Sequence, residues 1–119
     1  MGAFGPEIAK VALRVRAFVL GQAPLADELV SAADDVWTIA YSFTGQTSDA
    51  FCEIAVSSRW VELGFRRGSE IPDPERRLDG TAGTARHIRI ETLDDLREPH
   101  VGRFLRAAMR GAARGKERA

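Results

Sequence analysis

Cys52, His87, His100 and a scatter of carboxylates are the residues whose types could hold a metal or carry nucleophilic or acid–base chemistry. With one Cys and two widely separated His, no paired spacing of the zinc-binding kind is present. The segment "DDLREPH" gathers Asp94, Asp95, Glu98 and His100, but acids in that position are also what a solvated helix start requires. Cys52 sits between Phe51 and Glu53 in an apolar run, the setting of a small buried hydrophobe. Ser57, Ser58 and Ser69 lack a nucleophile-elbow context. Glu53 and Glu62 are the carboxylates that neighbouring strands could pair for acid–base work; on an exposed face they are simply solvated. The sequence therefore favours a protein without catalytic residues, resident metal or cofactor.

Arginine is the more suggestive residue type. Between Leu63 and Ile90 stand Arg66, Arg67, Arg76, Arg77, Arg86 and Arg89, and guanidinium forks suit carboxylate or phosphate recognition. Interleaved with them are Glu70, Asp73, Glu75, Asp79 and Glu91, so pairing with these acids is the competing use. The glycine-rich "DGTAGTARH" has no Gly-Lys-Ser/Thr and leads into a strand, so it is neither a P-loop nor a dinucleotide-binding turn. Gly80 and Gly83 suit positive φ in successive turns. Pro72 and Pro74 stiffen the loop around Asp73, while Ile71 and Leu78 can anchor it to a core. The candidate binding site is thus the loop and sheet face around Arg66, Arg86, His87 and Arg89, with Trp37, Tyr41 and Trp60 as walls.

The elements that must position these residues follow from periodicity. Ile8, Val11, Ala12, Val15, Phe18 and Val19 make one helical stripe, with Pro6 at its start and Gly21 near its end. A second, shorter helix is expected over "LADELVSAADD", Leu25 to Asp35, with Leu25, Leu29 and Val30 inward. Asp34 and Asp35 then mark its exit into coil. "VWTIAYSF", "AFCEIAVSS", "RWVELGF" and "ARHIRIET" alternate as four strands. Thr92 with Asp95 resembles a capping box, and Pro99 precedes the last helix, whose stripe is Val101, Phe104, Leu105, Ala108 and Met109. The expected fold is α+β: a two-layer, four-stranded antiparallel sheet with two N-terminal helices and a C-terminal helix. Residues 1–114 form one domain in this reading, and 115–119 a frayed tail.

Composition narrows the function classes. The 119 residues carry 17 Lys+Arg against 17 Asp+Glu, a formal net charge of zero. That balance argues against a dedicated nucleic-acid binder. No apolar run approaches the ~20 residues of a membrane span, and "MGAFGPEIAK" is not a signal peptide. A single Cys suits a reducing compartment, so a cytoplasmic protein is expected.

The segments "SDAFCEIAV", "RWVELGFRRGSEIPDPERRLDGTAG" and "RHIRIETLDDL" together resemble the YdhG-like family, known as domain of unknown function 1801. The resemblance runs from about Val36 to the final helix. It is carried by Gly64-Phe65 with Gly68, Pro72-Asp73-Pro74, Leu78 with Gly80 and Gly83, and Arg86-His87-Ile88. It implies an α+β fold without established catalytic residues, and for one bacterial branch a frataxin-like intracellular iron chaperone. Against that last role, the first helix carries Lys10, Arg14 and Arg16 where iron binding would use clustered acids, and Trp37 lacks a following Gly-Met-Pro. The leading expectation is a non-enzymatic binding module for a small anionic ligand or a protein partner, with the iron chaperone as its alternative.

Overall fold

Pro6 opens the first helix at a position where a missing N–H costs nothing. A computed structural model describes residues 5–81 and 83–118 of the chain, the last six of these without side chains. Helix α1 spans Pro6–Gln22 and buries Val11, Ala12, Val15 and Val19. Strands β1 (Asp27–Ala33), β2 (Val36–Ser42), β3 (Cys52–Val56), β4 (Val61–Phe65) and β5 (Arg86–Ile90) follow, and helix α2 spans Pro99–Arg118. The five strands form one antiparallel meander in sequence order. The chain is therefore α+β, with five strands and two helices.

The second N-terminal helix does not exist. Residues 27–33 instead pair along their whole length with β2, from Asp27 opposite Ser42 to Ala33 opposite Val36. Asp34 and Asp35 form the two-residue turn, with φ of 52° and 63°. Positive φ at both central positions defines the hairpin turn that matches strand twist, and Asp tolerates it well. A helix here would have buried only Leu25, Leu29 and Val30 and left the outer edge of β2 unpaired. The sheet ladder outweighs the helix preference of Leu, Ala and Glu.

The remaining strands fall where alternation predicts them. In β3 and β4 every second residue is buried: Cys52, Ile54 and Val56, then Val61, Leu63 and Phe65. Register stacks these rows, with Ile54 opposite Leu63 and Val61 opposite Ile90. With Tyr41 and Ile90 they face α1 and α2, which contribute Val15, Val19, Val101, Phe104 and Leu105 to the same core. Each fully buried Leu, Ile or Val contributes about 1.5–3 kcal/mol. Both helices lie on one face of the sheet; the other face carries Glu53, Glu62, His87 and Arg89.

Between β3 and β4 the turn is closed by Ser57, whose Oγ accepts from the N–H groups of Arg59 and Trp60 at 3.1 Å each. Asp95 reaches back before α2, accepting from the N–H of Glu91 at 2.8 Å and of Thr92 at 3.0 Å. The frayed tail expected over 115–119 coincides with the last turn of α2, and Ala119 lies outside the described residues. Among the described residues no helix is long and apolar enough to cross a membrane.

Candidate functional site

The pleat separates the seven candidate residues, because neighbours in a strand point to opposite faces. His87 and Arg89 of β5 lie on the uncovered face beside Trp60. There Glu62 Oε2 stands 3.2 Å from His87 Nε2 and 3.6 Å from Arg89 Nη2. The Arg89 guanidinium carbon lies 5.7 Å from the centre of the Trp60 ring. One acid thus stands between His87 and Arg89, and an aromatic ring lies near the Arg89 guanidinium, forming a local surface cluster.

Tyr41 and Trp37 lie on the helix-bearing face and do not wall a site with His87. Tyr41 is fully buried, and its hydroxyl donates to Glu28 Oε2 at 2.8 Å. Arg16 grips the same carboxylate with two donors, Nε to Oε2 at 2.7 Å and Nη2 to Oε1 at 2.8 Å. This network ties α1, β1 and β2 together. Burial, helped by the Glu28 charge, pushes the Tyr41 phenol far above its usual range. The Arg16 hydrogen bond holds Glu28 below the usual carboxylate range against the opposing effect of burial, with help from the Tyr41 hydroxyl. Trp37 sits near the β1–β2 turn, paired across from Val56.

Arg86 also faces away from His87. Its Nη1 donates to the carbonyls of Gly83 at 3.0 Å and Ala85 at 2.7 Å, so it secures its own loop. That loop is built rather than slack. Asp79 exchanges two backbone hydrogen bonds with His87, at 2.7 and 2.9 Å, and covers part of the β5 edge. Asp73 accepts from the N–H groups of Arg77 and Leu78 at 2.8 and 2.9 Å. Ile71 and Leu78 pack on the core, and Gly80 and Gly83 take φ of 120° and 62°, as their positions suggest. The interleaved pairing of arginines with acids is largely absent: among the described residues of the loop, Arg77 with Glu75 at 3.2 Å is its one instance.

Arg66 is the candidate that reaches a cleft. A cavity of about 950 Å³ opens between the end of the sheet and the middle of α2. Its apolar lining is Phe43, Phe51 and Phe65 from the strand ends, Ile71 from the loop and Ala108 and Ala112 from α2. Phe43 and Phe51 stack with ring centres 4.8 Å apart. Leu25, 88% exposed, stands at the mouth, so the opening is apolar as well as wet. Arg66, Arg67 and Arg110 supply the positive rim, with Asp49 and Glu70 as the acids. Asp49 is engaged by the Thr44 hydroxyl at 2.7 Å, and Arg66 donates to the Ser48 carbonyl at 3.3 Å. Arg67 and Arg110 have no hydrogen-bond or ion-pair partner among the described residues.

Sequence reasoning missed Phe43, Phe51, Phe65, Arg67 and Arg110 as site residues. The three phenylalanines look like core positions at strand ends, and Phe51 and Phe65 are core residues, 5% and 2% exposed, so only Phe43 offers much surface to the cleft. Arg110 looks like the polar side of an amphipathic helix. A signal was present in the run from Pro99 to Ala112, which carries Arg103, Arg106 and Arg110 three or four apart and no acid.

Of the residues in the Asp94–His100 segment whose types suit a metal, three are engaged otherwise. Asp94 pairs with Arg97 at 3.2 Å, Asp95 caps the turn before α2, and His100 is buried edge-on to Phe104. Among the described residues no group of three His, Cys, Asp or Glu stands close enough to hold a metal ion. Cys52 is buried, and its burial, with the charge of Glu53, raises the thiol well above its usual range. No family model, curated protein or solved structure matches the chain. The resemblance to the YdhG-like family therefore rests on its sequence motifs alone.

Proposed function

We propose that this domain is a non-enzymatic cytoplasmic binding module. Its ligand is a small anion with an apolar body, held in the cleft between the sheet end and α2. The observation that carries the reading is the joining of an apolar floor, Phe43, Phe51 and Phe65, to a rim of Arg66, Arg67 and Arg110. Sites for small molecules are mostly apolar hollows of about 300–1,000 Å³ with a few convergent polar groups. The cleft matches that pattern. Of the segments that resemble the YdhG-like family, Ile71 and Pro72 line the loop side of this cleft, which makes a family role in ligand binding part of the same proposal.

Titration calorimetry and thermal shift with octanoate and an aromatic carboxylate test it. A ligand at a hundred times its Kd adds about 2.7 kcal/mol of stability, a shift of several degrees. Loss of a charge-assisted hydrogen bond in Arg110→Ala lowers affinity roughly tenfold or more. Absence of binding at millimolar ligand, or full affinity in both Arg110→Ala and Arg67→Ala, overturns the reading.

A further inference from the structure

The cleft does not end at its own rim. A second hollow of about 490 Å³ continues from it along α2, and the two share Ile71, Pro72, Ala107 and Arg110. The stiff Pro72-Asp73-Pro74 segment forms one wall of the continuation, and Arg103, Arg106 and Arg110 stand on the other. The chemistry changes along this path. The first compartment joins three phenylalanines to Arg66, Arg67 and Arg110, whereas the second has Phe104 as its one phenylalanine and Arg77, Arg103, Arg106 and Arg110 along its sides.

Charge accounting in the second compartment is lopsided. Its two carboxylates are already engaged, Asp73 by two backbone N–H groups and Glu75 by Arg77. Arg103, Arg106 and Arg110 have no hydrogen-bond or ion-pair partner among the described residues, and residues 99–112 contain no acid. A single carboxylate, with one charge and two oxygens, leaves most of these donors unmatched. A phosphate monoester carries about −1.5 to −2 charges at neutral pH and offers three strong acceptor oxygens. Arginine forks fit such a group in paired geometry.

We infer that the ligand of this cleft is a soluble, single-chain phosphate monoester: its apolar chain lies on Phe43, Phe51 and Phe65, and its phosphate lies among Arg103, Arg106 and Arg110. This rests on the binding-module reading above and names the head group that reading leaves open. Arg110, common to both compartments, stands where chain and head group would join.

Octyl phosphate, octanoate and inorganic phosphate, compared by calorimetry on the full chain, test the inference. Octyl phosphate binding at least tenfold more tightly than either of the others is the expected result. In an Arg103→Ala/Arg106→Ala double variant that preference over octanoate disappears, while an unchanged unfolding midpoint without ligand reports that the fold is intact. Equal affinity for octyl phosphate and octanoate overturns the phosphate assignment and leaves the module reading standing. Equal affinity for octyl phosphate and inorganic phosphate overturns the placement of the chain. Binding to vesicles containing phosphatidic acid, but not to monomeric octyl phosphate, overturns the soluble ligand in favour of a lipid head group. No binding by any of them overturns both readings.

Discussion

Gly68→Ala is the sharpest perturbation that the loop geometry allows. Gly68 is buried where the loop crosses β5, and a Cβ built on it would lie 2.3 Å from Arg86 Cβ and 2.9 Å from both Arg86 Cγ and the Arg86 backbone nitrogen. Ordinary contact needs about 3.4 Å or more, so loop and strand must part by roughly 1 Å. The strand cannot yield easily, because β5 is paired with β4 from Ile90 to Arg86. The loop is pinned in turn by Ser69 N–H to the Thr84 carbonyl at 2.9 Å and by the Thr84 hydroxyl to the Arg66 carbonyl at 3.0 Å. Overpacking of this kind costs about 1–3 kcal/mol, and losing one or both of those hydrogen bonds adds about 1 kcal/mol each. The expected destabilisation is about 2–5 kcal/mol, a fall in Tm of roughly 10 °C or more for a chain of this size. Urea unfolding followed by tryptophan fluorescence measures it. Gly83→Ala is the control: no atom lies within 4 Å of the added Cβ, and only its φ of +62° is strained, at about 1 kcal/mol. A Gly68→Ala variant within about 0.5 kcal/mol of the parent would refute the steric argument.

Other consequences follow from buried groups. Cys52, fully enclosed and with its thiol held in the protonated form, should resist Ellman's reagent in the native protein and react once urea unfolds it; rapid stoichiometric labelling of the folded chain would contradict its placement. Glu28 has a folded-state pKa below its ordinary 4.5, so its contribution to stability is present above that pH and is lost as pH falls through the lowered value. Glu28→Gln should therefore be less stable at neutral pH and show a flatter stability profile on the acid side of 4.5, as acid titrations monitored by circular dichroism would reveal. Tyr41→Phe should cost about 1 kcal/mol by removing the hydroxyl bonded to Glu28. In the wild-type protein the Tyr41 phenol should ionise only on alkaline unfolding, read as ultraviolet absorbance.

Local pattern was sufficient wherever a residue's own neighbours decide its conformation. The stripe of Val11, Ala12, Val15 and Val19 determined α1, and the alternation of Cys52, Ile54 and Val56 with Glu53 and Ala55 determined β3. Gly80 and Gly83 foretold their positive φ, and Asp95 its reach back to the start of the turn. The separation of Arg86 from His87 was also legible, since adjacent strand residues must face opposite ways. Tertiary structure decided the rest. Whether residues 27–33 form a helix or a strand depends on the open edge of β2, which no local window contains. Glu28 gains its role from Arg16 and Tyr41, twelve and thirteen residues away. The cleft depends on longer separations still, because Phe43, Phe51, Phe65 and Arg110 come from three strand ends and a distant helix. Their types were visible in the chain, but an apolar floor meets a cationic rim only when the packed core brings those ends together.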